Sequence, residues 1–200
     1  MTADIIRANA TRGLAKALGI EIVELTAVHF HFTAFAATLL AALVLIRLRD
    51  ERGTWHNVAL AAAIALVLGS PVLAAGWGTP IHVLQVLGAI LVATGVIGTA
   101  AIMFFRTDSL AAPGTAHALL RIAAVMPLLP MVLAVEYSTG RTFGFPTLDI
   151  QTMALVHGNL NALGFGFLGL IGWTMAQQGD RRAGTVSRNA GMTPLANSSS

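Results

Sequence analysis

The 200-residue chain is 56% hydrophobic and only 10% charged, with a mean hydropathy of +0.74 and a formal net charge of +3. That balance is the composition of an integral membrane domain. The small basic excess suits the flanks of membrane helices and not a nucleic-acid surface, since no basic-aromatic stripe accompanies it. The absence of cysteine excludes disulfides, iron–sulfur clusters and thiolate chemistry.

Residues 1–20, MTADIIRANATRGLAKALGI, lack the continuous apolar centre and cleavage site of a signal peptide and read as an amphipathic helix lying at the interface. Five apolar stretches follow, each near the spanning length of about 20 residues: Ile22 to Leu48, Val58 to Trp77, Ile81 to Phe105, Leu119 to Tyr137, and Ile150 to Ala176. Pro71 in the second stretch, and Pro127 with Pro130 in the fourth, are expected to kink or loosen those helices. Ser138 to Leu148, STGRTFGFPTL, reads as an ordered loop or lid, while the other connections are short and make sequential helices antiparallel neighbours. The fold class is therefore all-α: a polytopic transmembrane helical bundle of about five spanning helices over residues 21–178, preceded by the interfacial helix. A disordered polar tail is expected over 179–200.

An odd number of crossings puts the termini on opposite sides. Arg47, Arg49, Arg52, Arg106, Arg181, Arg182 and Arg188 then share one side, with Arg7, Arg12, Lys16 and Arg141 on the other. The positive-inside rule makes the first side, with the C-terminus, cytoplasmic. Trp55 and Trp77 fit interface positions.

The same alternation gathers polar residues at one depth. Glu21, Glu24, His29 and His31 lie in the first half of helix one, His82 and Gln85 at the start of helix three, and Glu136 and Tyr137 at the end of helix four. Asp149, Gln151, His157, Asn159 and Asn161 lie in the first half of helix five. All fall toward one membrane face, and ionisable groups within a membrane are paired or functional, so a shared pocket in that leaflet is expected. Packing polars that merely join helices by hydrogen bonds are the plainer alternative.

In the last stretch an ideal helix puts His157, Asn161, Gly164 and Leu168 on one stripe and Gly158, Ala162, Gly166 and Gly169 on a neighbouring stripe of small residues. The small stripe admits another helix closely. Glu24 and His31, seven residues apart, share a face and suit a carboxylate–imidazole relay. His29 points about 160° away from His31, so the pair is a poor clip for one metal ion. Glu136 and Asp149 bracket the loop carrying Arg141, where a surface salt bridge is the plain reading, and His117 and Arg121 are expected to reach for headgroups.

Desolvation disfavours a charged carboxylate, so a carboxyl at depth is a proton donor, with imidazole able to take the proton back. The catalytic candidates are Glu24, His31, Glu136, Asp149 and His157. The substrate-contact candidates are His29, His82, Gln85, Tyr137, Asn159 and Asn161. The set suits acid–base chemistry, such as cyclisation, isomerisation or epoxide opening, on a lipophilic natural product or lipid drawn from the bilayer. No metal or cofactor is required by this reading. A b-type haem held between His29 or His31 and His157, with the helix-five glycines making room for the porphyrin, is one alternative. A small transporter is another.

TAVHFHFTAF (Thr26 to Phe35) together with HGNLNALGFGFLGLIGW (His157 to Trp173) resembles the YndJ-like family of bacterial integral membrane proteins. The resemblance implies a multi-helix fold in a bacterial cytoplasmic membrane, with His29, His31, His157 and Asn161 at the matching positions, and implies no particular reaction. In size and in acidic residues at helix ends the chain is also loosely similar to the small membrane-bound terpenoid cyclases.

Overall fold

The computed structural model describes residues 35–112 and 114–190, the last five by their backbone only. The expected interfacial helix, the residues Glu21, Glu24, His29 and His31, and residues 191–200 lie outside that range. The described chain is helical: α1 (Thr38–Arg47), α2 (Thr54–Gly78), α3 (Val83–Phe105), the short α4 (Thr107–Leu110), α5 (Thr115–Val125), α6 (Leu128–Phe143), the single turn α7 (Ile150–Met153) and α8 (Leu168–Ala190). Between α7 and α8 the same rod runs through two π-helical stretches, Ala154–Gly158 and Leu160–Phe167. Four rods are long and apolar enough to cross a membrane: α2, α3, α5 with α6, and the rod from Ile150. Phe35–Arg47 is a shorter apolar helix.

The rods are apolar all round, as lipid requires. Large side chains such as Ile64, Val67 and Leu68 of α2, Val132 of α6 and Phe167 are more than 45% exposed, a surface no water-soluble protein would carry. Leu40, Val44, Leu66, Val96, Ile102, Met103 and Leu120 fill the interior. Hydroxyls within the helices bond to the carbonyl one turn back, as Ser70 does to Leu66 (3.1 Å) and Thr99 to Gly95 (2.9 Å), so they add no unmet donor to the hydrocarbon.

Helices α2 and α3 form an antiparallel pair at very close range. A Cβ on Gly88 would lie 2.5 Å from the Leu73 Cα, and one on Gly95 would lie 2.6 Å from the Leu66 Cγ. Small residues are required there because lipid supplies no hydrophobic drive and association rests on contact between backbones. Trp55 and Trp77 stand 22 residues apart on α2, about 33 Å of helix rise against a hydrocarbon thickness of about 30 Å, a spacing that suits one ring at each interface.

Two sequence expectations are corrected, at the ends of the fourth and last spans, and the expected loosening of the fourth span at its prolines is found. The fourth span does not end at Tyr137: α6 continues to Phe143, so the expected loop from Ser138 is helix over its first half. It stops at Gly144, which adopts a left-handed φ of 79° and donates to the Gly140 carbonyl (2.8 Å), a glycine C-cap. Pro127 and Pro130 act together, and the span breaks at Met126–Pro127 into α5 and α6, whereas α2 runs unbroken through Pro71. The last rod does not stop at Gln178, where the sequence turns polar, but remains helical to Ala190.

Candidate functional site

The chain alternation places the polar ends as the sequence implied. At one end Thr142 of α6 donates to the His82 carbonyl at the start of α3 (3.2 Å). At the other, Arg106 closes on Glu51 (2.8 Å) and Arg47 on Asp180 (3.3 Å), so the loop arginines do collect on one face. The described candidates differ in the direction they face.

His157 is buried. Its Nδ1 lies 2.9 Å from the Pro130 carbonyl, which can only accept, so Nδ1 carries the proton in the neutral ring. Nε2 then accepts from the Asn161 side-chain amide (3.2 Å), which also donates to the His157 carbonyl (3.0 Å). This knot forms where the last rod is π-helical, beside the break of the fourth span. A Cβ on Gly164 would meet Met126 at 2.6 Å, so only glycine lets the rod reach that break. The small stripe behaves as expected further along, with Gly166 against Ala36 and Gly169 against Leu40.

Gln85 is also buried, donating its amide to the Gly76 carbonyl of α2 at 2.8 Å, a helix-joining bond. Tyr137 is buried at the rim, where Arg141 lies over both the Trp77 ring (5.4 Å) and the Tyr137 ring (5.8 Å). Arg141 thus stacks on aromatics and pairs with neither Glu136 nor Asp149 among the described residues. His82 and Asn159 are exposed. His117 pairs with Asp108 (2.8 Å) and Arg121 lies over Phe104 (5.0 Å), contacts within the bundle.

Asp149 is exposed and caps the last rod: Oδ1 accepts from the Thr152 backbone (2.9 Å) and Oδ2 from the Thr152 hydroxyl (2.7 Å). The backbone bond, then the hydroxyl bond, hold its pKa below the ordinary 3.8. A depressed carboxyl pKa gives stability that is fully present above the unfolded value and is lost as pH falls through the lower folded value. Thermal melts titrated downward from pH 5 should therefore show a loss of stability below about pH 4 that Asp149→Ala lacks. Equal acid sensitivity in both proteins would refute the cap.

Glu136 faces outward from α6, the opposite of the interior position expected of it. It lines a groove of about 550 Å³ between α3 and α6, whose walls include Ala93, Ile97, Met131, Val132 and Phe145. Val132 and Phe145 are each over 60% exposed, so the groove opens onto the lipid-facing surface. The other polar side chain in it, Thr139, donates its hydroxyl to the Val135 carbonyl (2.6 Å), and Glu136 is the carboxyl group on the wall. None of His82, Gln85, Tyr137, Asp149, His157, Asn159 or Asn161 lines it. The single pocket expected for all the candidates is not formed by the described residues, and Glu24, His29 and His31 lie outside them. The groove was missed because its walls are ordinary aliphatic residues, and only Glu136 within the run MVLAVEYST hinted at it.

No group of three or more potential metal-binding side chains occurs among the described residues. Of the glycines expected to make room for a porphyrin, Gly164 is packed by Met126, Gly169 by Leu40, and Gly172 by Leu119 and Leu120, while a Cβ on Gly158 would meet nothing within 4 Å; His29 and His31 lie outside the described residues.

Comparison with known proteins agrees with the membrane architecture. Residues 10–165 match the family described as YndJ-like protein. The chain is 29% identical over 155 residues to the uncharacterized membrane protein YndJ of Bacillus subtilis (strain 168), an alignment covering 76% of this chain and 26% of the relative. The chain thus spans about a quarter of that relative's length, and no solved structure matches. With 156 of its 200 residues matched and its apolar helices arranged as a multi-pass bundle, the chain belongs to the YndJ-like family of membrane proteins.

Proposed function

We propose that this protein is a membrane-embedded enzyme that takes a lipophilic molecule from the bilayer into the groove between α3 and α6 and acts on it by acid–base chemistry through Glu136. The observation that carries the reading is a groove of about 550 Å³, apolar along its walls, with one carboxyl group set into it. Ligand sites for small molecules have this size and make-up: a greasy wall for affinity and one or a few polar groups that orient the ligand. In low-dielectric surroundings a carboxyl group beside a bound olefin, epoxide or carbonyl gives or takes a proton without competition from bulk water. His157 and Asn161 have a separate task in this scheme, tying the last rod to Pro130 behind the groove wall. The C-terminus is cytoplasmic in this proposal, on the arginine-rich side.

The test is to identify the small molecules that co-purify with the protein and its Ala93→Trp and Glu136→Gln variants by native mass spectrometry. Ala93→Trp fills the groove and should lower occupancy of the bound molecule by about tenfold, the effect of losing about 1.4 kcal/mol of binding. Glu136→Gln should keep the molecule bound and unconverted. Identical ligand profiles in all three proteins would dispose of the groove as a site, and conversion at the parent rate by Glu136→Gln would dispose of the carboxyl's role.

A further inference from the structure

Helix α1, even counted from its first turn as Phe35–Arg47, is too short to cross a membrane: it is apolar but rises only about 20 Å against a hydrocarbon layer of about 30 Å. Its far end lies on the arginine-rich face, where Arg47 meets Asp180 (3.3 Å), so its beginning stops about 10 Å short of the opposite face. A chain that enters a helix inside the hydrocarbon cannot arrive as bare loop, since lipid offers its N–H and C=O groups no partner. The residues before Phe35 are left to finish the crossing, and about seven more helical residues are enough. The sequence there, IVELTAVHFHFTA over 22–34, is apolar but for Glu24, two histidines and two threonines.

The course of that segment is set by α1, which runs parallel to the last rod. A Cβ on Gly166 would lie 3.6 Å from the Ala36 Cβ, one on Gly169 would lie 3.0 Å from Leu40, and Arg47 pairs with Asp180. Partners are about 130 positions apart in every case, so the two rods climb in register. Carried backwards, the register sets position 32 level with Ala162 and position 28 level with Gly158. The last rod is open at those levels: a Cβ on Gly158 would meet nothing within 4 Å, and Ala162 is only half-buried. Asn159 is exposed and Asn161 half-buried on the same stretch, and amides within a membrane belong against protein and not against lipid.

We infer that residues 22–34 dock lengthwise on the last rod between Gly158 and Gly166, parallel to it, and extend the interface that α1 already makes. Gly158 and Ala162 let the two backbones approach, which is what holds helices together where lipid supplies no hydrophobic drive. His29 comes level with Asn159 and His31 level with Asn161, so the polar side chains of both rods share one height in the bilayer. The docking is independent of the reading of Glu136.

Disulfide cross-linking of the full chain in membranes tests the proposal, and the chain's lack of cysteine leaves no background. Gly158→Cys is combined in turn with Thr26→Cys, Ala27→Cys, Val28→Cys, His29→Cys and Phe30→Cys, which together sample every direction around a helix. Ala162→Cys is combined in the same way with Phe30→Cys, His31→Cys, Phe32→Cys, Thr33→Cys and Ala34→Cys. In each series one or two pairs should close on mild oxidation about tenfold faster than the same cysteines combined with Val132→Cys, which faces lipid on α6. The two series are independent, so a variant that fails to fold in one leaves the other to decide. Closure of both series no faster than the control leaves this face to lipid and overturns the docking. Disulfide-linked dimers from Gly158→Cys or Ala162→Cys alone would give the face to a second copy of the chain and overturn it equally.

Discussion

Gly88→Leu should cost the fold about 3 kcal/mol or more, the upper end of what overpacking a tight interface does. At this position the first atom of any side chain already collides, since a Cβ would lie 2.5 Å from the Leu73 Cα and 2.7 Å from the Leu73 Cβ. The Leu73 Cα belongs to the backbone and cannot turn aside as a rotamer would, so α2 and α3 must separate to admit the substitution. Separation also pulls the buried Gln85 amide from the Gly76 carbonyl, breaking a bond that joins the two helices. Gly184→Ala is the control: that glycine is exposed on α8 with nothing within 4 Å of its would-be Cβ, so the change should be neutral or slightly stabilising. Size-exclusion chromatography after a heat challenge in mild detergent reads both. A Gly88→Leu protein that survives heating as the parent does would show that the two helices do not meet as closely as described.

The second large effect is expected from His157→Leu, a loss of about 2 kcal/mol. Leucine fills similar space, so the loss comes from the Pro130 carbonyl and the Asn161 amide, both left without the imidazole partner. Membrane hydrogen bonds average less than this, but here one ring serves two partners on two rods. Asn161→Leu alone should cost less, because the Nδ1 bond to Pro130 survives it. The double variant should cost less than the sum of the two, since each single change already breaks the contact between the two side chains. Strict additivity in denaturation midpoints would show that His157 and Asn161 act independently.

The membrane architecture was legible because its causes are written locally. Runs of apolar residues set the rods, Trp55 and Trp77 mark the interfaces, and the glycines at 166 and 169 announce a neighbouring helix. The rod on which each described candidate sits was legible for the same reason. Its direction around the rod was not. Residues placed at a common depth by alternation turned out to face three ways: His157 inward to Pro130, Glu136 outward to lipid, and Asp149 onto its own helix end. Azimuth depends on how rods pack and on turns that are not α-helical. Nothing in ALVHGNLNALGFGF announces two π-helical stretches, which widen the turn and shift the phase of every residue beyond. The extension of α6 to Phe143 was hidden because Thr139 reads as a loop former, yet its hydroxyl bonds to Val135 within the helix.

Close packing of α2 on α3 gives the spacing of Trp55 and Trp77 a wider consequence. Two helices locked through glycines lean as one body, so a bilayer of shorter acyl chains cannot be met by tilting α2 alone. The pair must incline together and carry Ala93 and Ile97, one wall of the groove, with it. Bilayer thickness therefore acts directly on the width of the cleft in front of Glu136.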